Sequence, residues 1–414
     1  MYSGTVTAGI HADVRPEGRI DGVPAWCVGA LLFSFFVSTL VVPSAAINKL
    51  VFGILLLVAF LTPFVFQGRA PIRTVSPLMI LCVFVYGYVI SIAGVVDSEL
   101  GNQLVLSVAV LMLIYLLDWY KIDVDTLVKL AGIALCLFTA VFFYLVVVMD
   151  GSALAVYFMD NFREYSLGSL GQRDVVNGSA FMFRMGTTPF LYLPFSLFWL
   201  SFLDRRRWID LTGVLATGFV MVVSTSRGLV LSAVLVVCFT LVTRLGVRAR
   251  VVAACAVSVL AALAAFYLVE NTRIFSASEA SNSIKLGHIV SFVDNLTPRG
   301  LLTGEGLGAY YFSSGRNAFI SQTEITPLDM IRYVGLPMAL VFYFSLIWPA
   351  LKLSSYRGSR GVYAVLFLLY LALSTTNPVL VNSYGFLVVI WYWAKVLLVD
   401  ERSRPGAPIR REGA

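Results

Sequence analysis

The chain has 414 residues, 59% of them hydrophobic and only 13% charged, with a mean hydropathy of +0.87 and a formal charge of +7. That composition excludes an ordinary water-soluble domain, because too little polar surface exists to cover a core of this size. It also assigns the basic balance to membrane topology and anionic headgroups, and nucleic acid is not expected as a partner.

Residues 1–22 are polar and mixed in charge, with glycine and proline, and read as a loose cytoplasmic N-terminal tail that is not a cleaved signal peptide. A polytopic membrane domain is expected over 23–400, followed by a cytoplasmic C-terminal tail at 401–414. Apolar windows of about 17 to 23 residues recur in it, enough at 1.5 Å per residue to cross roughly 30 Å of hydrocarbon. The expectation is an all-α polytopic integral membrane protein with about twelve transmembrane helices. They fall near 24–42, 50–66, 77–95, 104–120, 128–149, 186–203, 210–226, 229–245, 251–269, 329–351, 362–376 and 384–399. With the N-terminus inside, 20 of the 30 lysines and arginines fall in cytoplasmic segments, so both termini are expected there. Cys27, Cys82, Cys136, Cys238 and Cys255 all lie in these windows, which removes a disulfide framework for the external loops. The windows show no internal repeat, which weakens a transporter reading.

Two long polar stretches, about 150–184 and 270–328, are placed together outside the membrane. In the first, Tyr157, Phe158 and Phe162 precede Arg163, and Arg173 and Arg184 follow among glycines. Aromatic rings offer faces to sugars, and arginines offer bidentate partners to phosphate oxygens. Between the stretches, Ser224-Thr225-Ser226-Arg227-Gly228 interrupts an apolar run at the outer end of a span. A cation at a membrane edge is costly to keep, so Arg227 is a candidate for binding phosphate, against the alternative of an arginine that snorkels at a helical hairpin.

In the second stretch, the spacing of Ile289, Val290, Val293 and Leu296 predicts an amphipathic helix over 284–296 that lies on the membrane surface or caps a cavity. His288 falls off its apolar stripe, as an interfacial surface residue or a ligand to substrate. Thr297-Pro298-Arg299-Gly300 ends the pattern, and Gly304-Glu305-Gly306-Leu307-Gly308 leads to Tyr310, Tyr311 and Phe312. The alternate glycines permit tight turns and close approach of backbone to a ligand. Beyond them, Thr326 is expected to cap a helix with Pro327 at its first position. Asp329 and Arg332, three apart, are expected to pair, leaving Glu324 free just outside.

In this order, the Ser-Arg-Gly turn, the late glycine-rich loop and the Glu324 to Gly335 segment resemble the bacterial O-antigen polymerase (Wzy-type) and O-antigen ligase superfamily. The resemblance covers the topology of most of the chain, but its motifs occupy only about 224–228 and 284–337. It implies a GT-C-like fold with two large periplasmic loops in the bacterial inner membrane. The activity it implies is metal-independent glycosyl transfer that polymerises undecaprenyl-diphosphate-linked oligosaccharides into O-antigen or exopolysaccharide. Membrane lipid, a chain-length regulator and a repeat-unit flippase are the implied partners, and no cofactor is expected. Carried over, Arg227 would bind the diphosphate and Glu324 would take the proton of the acceptor hydroxyl. Arg163, Arg173, Arg184, His288, Arg299, Tyr310, Tyr311, Asp329 and Arg332 would hold substrate. The chain departs from the ligase branch, which carries a histidine near the position of Thr323 or Glu324. It also has no acidic residue at 43–49, where metal-dependent relatives of the fold place one, although Asp97 and Glu99 stand in the next external loop. A ligase that transfers glycan to lipid A core, and a polysaccharide flippase or transporter, are the alternatives.

Overall fold

The computed structural model describes residues 23–42, 46–65, 75–149, 152–165, 167–175, 178–246, 248–252, 255–256, 280–354 and 360–402. Both tails (all but the helical end 401–402) and most of the expected ninth span, 251–269, lie outside the described residues. The described residues are largely helical, at 78%. Helices occupy the other eleven expected windows: α1 (Ala25–Val41), α2 (Ala46–Val65), α3 (Val75–Ser91), α4 (Ser98–Ala109) running through a 3-10 turn into α5 (Ile114–Tyr120), α6 (Val124–Val147), α8 (Tyr192–Arg205), α9 (Trp208–Val223), α10 (Arg227–Thr243), α13 (Thr326–Ser354), α14 (Arg360–Ser374) and α15 (Ser383–Arg402). Ser98–Tyr120, Val124–Val147 and Thr326–Trp348 are long and apolar enough to cross a membrane, and several shorter apolar helices accompany them, consistent with a multi-pass helical membrane protein.

The packing has the physical signature of that class. α6 buries Val128, Ala131, Leu135 and Phe142 at helical spacing, yet its outward face carries Leu130, Leu137, Val141 and Tyr144 exposed. A helix apolar on both faces needs an apolar medium outside as well as a core inside. Small residues let backbones approach: a Cβ on Gly132 would sit 2.6 Å from Pro194 of α8. At the centre, α15 is buried at ten consecutive positions from Gly385 to Ala394, and it contacts α1, α4, α5, α6, α13 and α14.

One end of the bundle is stitched by ion pairs. Lys129 of α6 reaches Asp210 of α9 at 3.3 Å, Lys395 of α15 pairs with Asp125 at the head of α6, and Arg244 pairs with Asp204. Trp391 donates its indole N–H to the same Asp125 at 2.8 Å.

The other end holds the polar stretches, and here the all-α expectation is corrected. The first forms α7 (Ala153–Glu164) and an antiparallel hairpin of β1 (Gly168–Val175) and β2 (Gly178–Met185). Phe183 of β2 stacks on Phe142 at 4.9 Å, and Phe162 of α7 packs on Phe142 at 4.8 Å, so the hairpin is seated on the end of α6. The second forms α11 (Ala280–Asn295), α12 (Pro298–Thr303) and a short hairpin of β3 (Tyr311–Ser313) and β4 (Ala318–Ile320). Residues 270–279 lie outside the described residues.

Candidate functional site

A helix break organises this end. Gly335 (φ +76°) interrupts α13 one turn after Arg332, which frees the carbonyls of Arg332 and Tyr333. The backbone N–H groups of Glu305 and Gly306 take them at 2.8 and 3.0 Å. Gly304, Gly306 and Gly308 all have positive φ, and a Cβ on them would meet the backbone of residues 333–335, of Ser91 and of Asp97 within 2.5–2.7 Å. The alternate glycines therefore thread chain through the break and against α3, where the sequence suggested close approach to a ligand. Unsatisfied backbone groups at a helix break are costly, and this threading satisfies them.

Above the break lies a buried polar cluster. Asp329 accepts both the Thr323 N–H, at 2.9 and 3.1 Å, and the Arg332 guanidinium at 3.0 Å, and the two side chains are each 5% exposed. The expected pair is thus present. Arg332 also donates to the carbonyls of Ser321 (2.5 Å) and Ile320 (3.4 Å), and lies 4.3 Å over the Tyr311 ring. It thereby ties β4 and β3 to the head of α13. The expected Thr326 cap is replaced: its hydroxyl points to the Asn377 carbonyl at 3.5 Å, while Asp329 reaches back to the incoming backbone. Burial pushes the Tyr311 phenol up to about 12; Arg332 opposes the rise, Asp329 adds to it and Ser313 opposes it.

α11 lies under the hairpin with its apolar stripe turned outward and its polar side packed inward. His288 and Ser291 are buried, whereas Ile289, Val290 and Val293 are 45–62% exposed. Backbone approach explains the choice, since a Cβ on Gly287 would sit 2.3 Å from Gly315 in the β3–β4 turn. Only the polar, small-residue face of α11 fits so close. His288 Nδ1 shares a 2.7 Å hydrogen bond with the Ser313 hydroxyl, and Nε2 is buried without a hydrogen-bond partner among the described residues. Burial holds the imidazole below its ordinary value, with Glu324 raising it and Arg316 and Arg332 lowering it further. His288 is thus a buried residue in the electrostatic reach of Glu324, and the interfacial surface position is corrected. Glu324 is half-buried and not free: Arg316 holds it at 3.1 Å and Lys285 of α11 at 4.0 Å.

A second group meets at Asn377, between α14 and α15. Arg184 of β2 donates to its side-chain oxygen at 3.4 Å. Gly228, next to Arg227 in the first turn of α10, approaches its side-chain nitrogen so that an added Cβ would stand 3.5 Å away. Its carbonyl is the one Thr326 reaches. Arg184, the Ser-Arg-Gly turn and the head of α13 therefore converge on one residue, and Thr326 lies within three positions of both Thr323 and Asp329.

The remaining sequence candidates are placed elsewhere. Arg163, at the end of α7, and Arg299, on α12, are exposed, and among the described residues no hydrogen bond or ion pair joins either side chain to the cluster. Tyr310 faces outward, 41% exposed, opposite to Tyr311. Arg173 pairs in register with Ala180 on the β1–β2 hairpin, and its side chain lies outside the described residues. Asp97 caps α4 through Leu100 N–H and accepts the Ser321 hydroxyl at 3.0 Å. Among the described residues no group of three or more His, Cys, Asp or Glu is placed to hold a metal ion.

Sequence reasoning passed over Arg316, Ser313, Lys285 and Asn377. The polar run Ser374-Thr375-Thr376-Asn377-Pro378 between the last two apolar windows was the available signal for Asn377. No protein-family model matches this sequence, and no curated protein is significantly similar to it.

Proposed function

We propose that the protein is an inner-membrane glycosyltransferase that polymerises undecaprenyl-diphosphate-linked oligosaccharides on the periplasmic face, with both termini in the cytoplasm. The convergence at Asn377 carries this reading. Arg184 and the Arg227-Gly228 turn come from different elements, yet reach the same residue, which itself contacts the segment bearing Glu324, Asp329 and Arg332. The order of motifs in the sequence supports it independently.

In the reaction, a hydroxyl of the acceptor saccharide attacks the anomeric carbon of the donor. The new C–O bond forms as the bond to the lipid diphosphate breaks, and the diphosphate leaves with the electron pair. Arg184 and Arg227 would stabilise the charge gathering on it, a role worth most where water is excluded. Glu324 would accept the hydroxyl proton after Arg316 turns away; Arg316 is half exposed and can do so. Arg332 holds the hairpin whose turn carries Arg316, and Asp329 holds Thr323, the neighbour of Glu324.

Arg184→Ala and Arg227→Ala are each expected to lower long-chain polymer on the order of 10²-fold. Single lipid-linked units should then accumulate at unchanged protein level, read by glycolipid electrophoresis and immunoblot. Wild-type chain lengths in both variants would overturn the proposal. A ligase reading has one observation in its favour, the folding of His288 to within electrostatic reach of Glu324. It would be selected if a deletion strain made long lipid-linked chains that failed to reach lipid A core.

A further inference from the structure

The exposed apolar side chains around the candidate site form a line. Val85 and Tyr88 of α3 and Ile92, one residue past its end, are spaced three and four apart and are 49%, 42% and 78% exposed. The helix ends at Ser91, but the line does not. Val96 and Ala309 form an antiparallel β-bridge, and the N–H of Tyr310 reaches the Val95 carbonyl. Val95 and Tyr310 therefore stand opposite one another, and opposed residues in an antiparallel pair project to the same side. Two residues on, Phe312 projects to that side as well, and it is paired in register with Phe319. The two rings meet edge to face at 5.6 Å. Val95 is 86% exposed, Tyr310 41%, Phe312 41% and Phe319 73%.

The opposite face of the same strand is spent on the interior, where Tyr311 lies under Arg332 and Ser313 holds His288. The hairpin is thus amphipathic in the sense a membrane edge requires. Its outer row begins where the outward face of an apolar helix stops, so the medium that covers one covers the other. Aromatic side chains are the residues that favour the headgroup level, where a flat apolar ring can sit against acyl chains near water.

We infer that the β3–β4 hairpin is seated in the lipid leaflet, with Tyr310, Phe312 and Phe319 extending the lipid-facing stripe of α3 into the headgroup layer. The candidate site is then held at the depth of lipid phosphates, behind a strand whose other face touches the bilayer. This inference does not depend on the transferase reading, and its failure would leave that reading standing.

The test is photochemical. Benzoylphenylalanine in place of Phe312 or Phe319, in the full chain in native membranes, is expected on irradiation to give phospholipid adducts within about threefold of those from the outward span position Leu137. As both rings are outward, these variants keep the interior contacts. The unaltered protein supplies a second measurement in nanodiscs containing lipids with a diazirine near the glycerol. Adducts are expected on the peptide spanning 310–319. Adducts to protein or saccharide in place of lipid, or a 310–319 peptide that stays unmodified by the diazirine lipid, would overturn the inference.

Discussion

Protonating His288 would place a third cation beside Arg316 and Arg332 in a buried space. The folded state holds this imidazole below its ordinary value near 6.5, so it binds fewer protons there than the unfolded chain does. Stability from this group is fully present above about pH 6.5 and is lost progressively as the pH falls below it. Hydrogen exchange should therefore show α11 and the β3–β4 hairpin opening faster at pH 5 than at pH 7, and a His288→Gln variant should lose most of that difference. An opening rate independent of pH in the native chain would contradict this. His288 looked like a surface residue because it falls off the apolar stripe of α11, but the polar side of that helix is the one packed against the β3–β4 turn.

The break in α13 sets the shape of the polar end. Gly335 has a φ of +76°, and a Cβ there would stand 2.5 Å from the Leu302 carbonyl. Gly335→Ala combines a left-handed strain of about 1–3 kcal/mol with that clash. It is expected to lower the unfolding temperature in detergent by several degrees and to loosen residues 304–308, read by limited proteolysis. An unchanged melting temperature would mean the break is not under constraint. Elements separate into those the sequence makes legible and those it does not. Long apolar windows gave their helices at all eleven positions that the described residues cover, since one pattern of about twenty residues specifies each. The hairpin at 311–320 has strands of three residues, too short for an alternating pattern to register, and its pairing depends on α11 and Arg332 far off in sequence. The Asp329–Arg332 pair was legible because both partners lie on one helical face. The contacts at Asn377 were not, because they join residues up to 193 positions apart.

Charge and packing divide the bundle between its two ends. Lys129, Arg244 and Lys395 are paired with carboxylates at one end, and the hairpins and the candidate site occupy the other. Lysine and arginine density predicts that the first end faces the cytoplasm. Alkaline phosphatase fused after residue 300 should accordingly be active, and the same fusion after residue 355 inactive. The reverse result would invert the topology and remove the periplasmic site with it.

The central position of α15 bears on how the protein is made. Ribosomes deliver α1 first and α15 much later, yet α1, α4 and α6 all pack against it. Helices inserted earlier must wait in the bilayer with their inner faces uncovered until α15 arrives, so the mature arrangement is reached only after synthesis has passed residue 400. A nascent chain stalled before α15 would be inserted but not assembled, a ready substrate for quality-control proteases.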